Sequence, residues 1–361
     1  MTNRIHRRAL LLSSAALALP WATASNAAGV RLRPLAFPAD HGAHPDTRTE
    51  WWYVTGALES GAEKFGFQVT FFRSRTDVPA DHPSRFAAIQ LHFAHVALTD
   101  LTAGRMRHGQ RIARAGFGRA SAAEGETRLK LGDWTLEREG AAAASRYSTH
   151  IVSRDFSFDF TLAATQPVLL QGEAGYSRKG PLAAQASHYY SVPQLAVSGQ
   201  LTRDGKAVAV QGRAWLDHEW SDSMLDPQAV GWDWIGMNLD DGGALMAFRI
   251  RRADGSALYA GGSFRSSAGV LTVFGTDEVS LRAGRTWRSA ASGAVYPVAW
   301  TVQTPVGAFG VATLLDEQEL DSRNSTGAIY WEGLSELRDA AGRRIGRGYL
   351  EMTGYAATLR L

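Results

Sequence analysis

The chain has 361 residues, with 38 lysines and arginines against 35 aspartates and glutamates, and no cysteine. A cysteine-free chain of this length is held by its core and not by disulfides. Three of the basic residues, Arg4, Arg7 and Arg8, sit in an N-terminal stretch with no acidic residue, so the remainder balances at 35 against 35. A balanced chain has no compositional basis for binding nucleic acid.

Residues 1–28 read as a cleaved export signal. Arg4, Arg7 and Arg8 precede an uncharged run from Ala9 to Leu19, and small residues follow to Ala28. This is the order of a charged region, an apolar region and a cleavage zone. The apolar run is too short for a permanent membrane anchor. Arg7-Arg8 also fits a twin-arginine signal, so a periplasmic or secreted location is expected, with twin-arginine export as one route.

Next comes Asp40-His41-Gly42-Ala43-His44-Pro45-Asp46, followed by Glu50-Trp51-Trp52-Tyr53. His41, His44 and Glu50 could ligate a divalent metal, although an irregular loop gives two imidazoles no fixed geometry, so no metal is expected. Glu50 opens a run of aromatics, and burial there would raise its proton affinity towards that of a usable acid. The ordinary alternative is a surface carboxylate at a strand end. His92 and His95 have odd spacing and point to opposite faces of a strand, so they do not share an ion.

Period-two alternation runs through the middle of the chain, in Phe65–Phe71, Ile89–Phe93, Phe156–Leu162 and Lys206–Val210. Each reads as a strand with one buried face. Glycine-containing breaks at 202–206, 240–243 and 253–256 read as hairpin turns. Helical periodicity is sparse. Many short strands imply sandwiches or closed barrels, and there are too many for one barrel. The expected division is a signal at 1–28, one β unit at 29–224 and a second at 225–361.

The densest chemistry lies between Gly212 and Asp240. Trp215, Trp220, Trp232 and Trp234 are interleaved with Asp217, His218, Glu219 and Asp233. An aromatic wall with convergent titratable groups suits a pocket that holds an apolar ligand and moves a proton. In a strand, Trp215, Asp217 and Glu219 share one face while Leu216, His218 and Trp220 share the other. His218 is a candidate proton donor, with Asp217 or Asp233 to orient it. Asp233 faces away from Trp232 and Trp234, and is either a pocket acid or an outward polar residue. Glu351 and Tyr355 fit a closing strand. A Gly-x-Ser-x-Gly elbow and a phosphate-binding glycine loop are both absent.

Phe37-Pro38-Ala39-Asp40-His41, Glu50-Trp51-Trp52-Tyr53, Tyr190-Ser191-Val192-Pro193, Gly212–Trp220, Trp232-Asp233-Trp234 and Gly348–Tyr355 together resemble the lipocalin-like carotenoid 1,2-hydratase/AttH family. The resemblance spans the chain beyond the signal. It implies an all-β fold of two lipocalin-like antiparallel β-barrels packed together around an apolar ligand. Exported relatives are described as secreted hydrolases, and the carotenoid hydratases protonate an alkene and quench the cation with water, without a cofactor. Their His-x-Trp pair matches His218 and Trp220, leaving Asp217, Asp233 and Tyr190 as candidates for its acidic and tyrosine partners. Export argues for a lipid or isoprenoid met in the periplasm over a carotenoid made at the cytoplasmic face.

Two functions from different classes follow. One is an exported hydratase or hydrolase with His218, Asp217, Glu50 and Asp233 as catalytic groups. Trp52, Tyr53, Tyr190, Trp215, Trp220, Trp232 and Trp234 would line its substrate site. The other is a non-catalytic carrier of a hydrophobic small molecule that feeds a membrane-proximal export system. Beside these two stands a metal-dependent hydrolase using His41, His44 and Glu50.

Overall fold

The structure is a computed structural model that describes residues 29–222 and 225–359. The expected export signal lies outside the described residues. Among those described there is no α-helix, and the expected two packed antiparallel β units are present.

The first sheet is built from thirteen strands between Thr49 and Ser221, the second from ten between Gly231 and Met352. In the first, Thr49–Ser60 pairs with both Glu63–Arg75 and Lys206–Ser221, and Lys206–Ser221 pairs in turn with Ala186–Arg203. A bridge between Gly116 and Ala120 joins the two ends of this path, so the sheet is nearly closed. The second sheet centres on Gly231–Leu239, flanked by Ala244–Arg251 and Arg344–Met352.

Alternation places the core. Phe156, Phe158, Phe160 and Leu162 all enter the first barrel, with Phe158 and Phe160 stacked 4.5 Å apart. The hairpin between Arg203 and Lys206 closes through Asp204 and Gly205, at φ 50° and 75°. Two successive positive φ angles are what a two-residue turn needs to match strand twist. The breaks at 240–243 and 253–256 likewise join paired strands.

Where the sheets meet, alternation stops being visible in burial. From Ala214 to Ser221 every residue is buried, because the barrel interior covers one face of the strand and the second sheet covers the other. A bulge between Val192 and Leu195 fastens the contact. There the Gln194 backbone N–H donates to Asn238 Oδ1 at 2.7 Å, and its side-chain amide donates to the Leu239 and Gly243 carbonyls. Gly66 permits the close approach: a Cβ there would stand 2.5 Å from the Tyr349 hydroxyl.

Candidate active site

Strand parity sorts the predicted residues into three places. Glu50, Trp52, Tyr190, His218 and Trp220 enter the first barrel. Tyr53, Trp215, Asp217, Glu219, Trp232 and Trp234 belong to the layer between the sheets, where Tyr189 joins them. Asp233 enters the second sheet's interior, and thus lies apart from both groups.

In the first barrel, Glu50 is fully buried and its two oxygens accept from four donors. Oε1 accepts from His44 Nδ1 at 2.7 Å and His218 Nε2 at 2.9 Å. Oε2 accepts from Arg73 Nε at 2.7 Å and the His44 backbone N–H at 2.9 Å. Burial alone would push this carboxyl up, but the bonds from His218 and His44 outweigh it and hold it well below the usual carboxylate range. The expected raised proton affinity of Glu50 is therefore corrected: it is an ionised anchor and not an acid.

The histidine tautomers follow from these partners. His44 donates from Nδ1 to Glu50 and from Nε2 to Asp40 at 3.0 Å, so it carries both protons. Burial opposes that charge, and the two carboxylates raise its proton affinity overall. The charged ring stacks on Trp220 at 3.8 Å with a 6° tilt, a cation–π contact. His218 donates to Glu50, so its Nδ1 accepts from the Tyr190 hydroxyl at 3.1 Å, and Tyr190 in turn accepts from His41 Nδ1 at 2.9 Å. Burial pulls His218 down to about 4, only partly countered by Glu50, so it is neutral.

The orienting carboxylate of His218 is thus Glu50. Asp217 points out of the opposite face of the same strand, and Asp233 belongs to the other sheet. Trp220 packs on His44, while Trp52 stacks on His218 at 4.4 Å. One donor atom each from His44, Glu50 and His218 lies within 4.8 Å of the others, close enough to hold a cation. The Arg73 guanidinium already neutralises Glu50, however, and its other nitrogens donate to the His44 and Thr47 carbonyls and to Gln90. The donor set fits a pinned loop better than a metal. His41 stands outside it, bonded to Tyr190.

Between the sheets is a cavity of about 300 Å³. Trp51, Trp232, Trp234, Phe248 and Tyr53 supply its aromatic surface, Asp217, Glu219, Glu332 and Glu351 its carboxyls, and Glu50 and Arg73 also border it. Asp217 Oδ1 accepts from Trp215 Nε1 at 2.7 Å and from the Ser191 hydroxyl at 2.5 Å, and Oδ2 accepts from Tyr189 at 2.8 Å. Tyr189 itself accepts from Trp234 Nε1 at 3.2 Å. Burial pushes Asp217 up to about 7 against the pull of these donors. Lys179 is taken by Glu219 at 3.0 Å and lies over the Tyr189 and Phe248 rings.

Asp233 is a structural anchor. It receives Arg249 Nε at 2.6 Å and the Tyr355 hydroxyl at 2.8 Å, with Arg251 at 3.1 Å.

Arg73, Lys179, Tyr189 and Glu332 were not singled out by sequence. Glu332 had a signal, since Tyr330-Trp331-Glu332 mirrors the aromatic-carboxylate grouping of Glu50-Trp51-Trp52.

The AttH-like family model matches residues 28–355. The chain belongs to the AttH-like family. An AttH protein of known structure from Nitrosomonas europaea is 50% identical, covering 90% of this chain and 98% of that one, with a TM-score of 0.84. The kievitone hydratase structure from Nectria haematococca shares the fold at a TM-score of 0.69 and 14% identity, over 90% of this chain and 94% of that one. Kievitone hydratase of Fusarium solani subsp. phaseoli is 22% identical over 228 residues, spanning 61% of this AttH-like chain and 63% of the enzyme.

Proposed function

We propose that this AttH-like protein is an exported hydratase-type enzyme that adds water to a carbon–carbon double bond of a hydrophobic, isoprenoid- or lipid-like substrate without a cofactor. The observation that carries the reading is Asp217, a carboxyl with its proton affinity lifted to about 7, on the wall of an aromatic cavity. Its similarity to kievitone hydratase supports the reaction class.

Asp217 is the proton source. When its Oδ2 carries a proton, Tyr189 accepts from both Asp217 and Trp234, which frees the tyrosine's own O–H. Asp217 and Tyr189 then form a two-group relay into the cavity. Protonating one alkene carbon leaves a cation on the more substituted carbon, where indole faces stabilise it. Water closes the C–O bond and loses a proton. Glu50 and His218 are positioning residues, since they lock from behind the two strands that present Trp51, Tyr53, Asp217 and Glu219.

The test is incubation of the protein with farnesol, geranylgeraniol and a prenylated phenol in ¹⁸O-water. A tertiary alcohol carrying the heavy oxygen is the expected product. Stoichiometric recovery of all three, bound and unchanged, would favour the carrier.

A further inference from the structure

Two carboxyls of the cavity take no part in the relay. Glu332 and Glu351 are direct partners on neighbouring antiparallel strands, Ala328–Arg338 and Arg344–Met352. Direct partners project from the same face with Cβ atoms about 4.5–5.5 Å apart, and like charges so placed repel. Both residues border the cavity. Glu332 is only 2% exposed, and its Oε1 has no hydrogen-bond partner among the described residues. The Tyr53 hydroxyl on the facing strand is buried and forms no well-aligned hydrogen bond, yet it lies close enough to Glu332 to pull that carboxyl partly back down.

Nothing nearby neutralises a double negative charge. Neither glutamate has an ion-pair partner among the described residues, and the cations that border the cavity are taken, Lys179 by Glu219 and Arg73 by Glu50. His95 is occupied by the hydroxyls of Tyr330 and Ser325. From across the cavity Glu219, and Asp217 once it is ionised, raise the proton affinity of Glu351 further. The remaining groups facing the pair, Tyr53, Tyr330 and Tyr349, are neutral phenols held above their ordinary range by burial. Burial, and then the neighbouring Glu351, hold Glu332 well above the usual carboxylate range, while burial lifts Glu351 to about 7.

We propose that Glu332 and Glu351 form a carboxyl pair that shares one proton and binds the water consumed in the reaction. The water sits beside the pair, within reach of the Tyr53 hydroxyl. The catalytic part of this assignment rests on the hydratase reading. As the cation forms opposite Asp217, the water oxygen makes the C–O bond and its proton passes to the ionised member of the pair. Asp217 has given the proton of the new C–H bond, so one water is added with no change of redox state. The pair's extra proton then returns to Asp217.

The test uses the full chain labelled with ¹³C at glutamate side-chain carboxyls, with E332Q and E351Q to assign the two resonances. The expected result is one of the pair titrating near pH 7 or above, and the surviving carboxyl titrating at distinctly lower pH in each variant. With farnesol, each variant should lose about 10²-fold or more in kcat while KM changes little. Two resonances titrating independently below about pH 5, or unchanged kcat in both variants, would overturn the proposal. If wild-type protein hydrates nothing but the shared proton is seen, the hydratase reading fails and the water-binding pair stands. If hydration is seen and the resonances titrate independently, the reading stands and the pair fails.

Discussion

Glu50→Gln is expected to cost about 3–5 kcal/mol of stability, the range for breaking one side of a buried ion pair. The substitution changes little in volume but removes one of two oxygens that accept only from donors. Whichever way the amide turns, its NH₂ meets N–H groups, either from Arg73 and the His44 backbone or from the two imidazoles. Arg73 is only 2% exposed and would lose its counter-charge. The same guanidinium holds the 44–47 loop through two carbonyls, so the His44 ring and its stack on Trp220 should loosen with it. Chemical denaturation at neutral pH measures the loss. Because folding depresses the proton affinity of Glu50, its contribution is complete above the ordinary carboxylate range and is lost progressively as pH falls from there into strong acid. The difference between wild type and variant should therefore shrink in strong acid.

Asp217→Asn should have the larger effect on activity, about 10²–10⁴-fold in kcat, with the fold and apolar ligand binding intact. Asparagine reproduces the protonated acid: its oxygen accepts from Trp215 and Ser191, and its NH₂ donates to Tyr189 as the carboxylic O–H would. It has no proton to give. In the wild type, kcat/KM should fall as pH rises through about 7, where Asp217 ionises. Stability carries the same signature with a definite sign. Folding raises the proton affinity of this carboxyl, so its ionisation costs stability progressively as pH climbs from the unfolded value near 4 to about 7. The variant should lack that decline. Paired denaturation curves below and above this window check it.

The strands and hairpins were legible because alternation and turn glycines are local properties. Phe156–Leu162 and the break at 240–243 needed nothing beyond their own residues to be placed. Parity also separated His218 and Trp220 from Asp217 and Glu219. It could not say which of the two sets faces a cavity, because on Lys206–Ser221 both faces are buried and the second sheet supplies the other wall. For the same reason Asp217 could be mistaken for a partner of His218, one residue away in sequence but across the sheet in space. The Glu50–His218 bond joins residues 168 positions apart and has no local signal. Glu332 and Glu351 become neighbours only through the register of the two strands that carry them.

The central claim is that the reacting ligand sits between the two sheets and not inside the first barrel. A crystal structure of Asp217→Asn soaked with farnesol tests it most directly. The prediction is an isoprenoid chain along Trp51, Trp234 and Phe248, with a double bond beside the Tyr189 hydroxyl and Asn at position 217. A chain lodged inside the first barrel between Trp52 and Trp220, against His218, would contradict it.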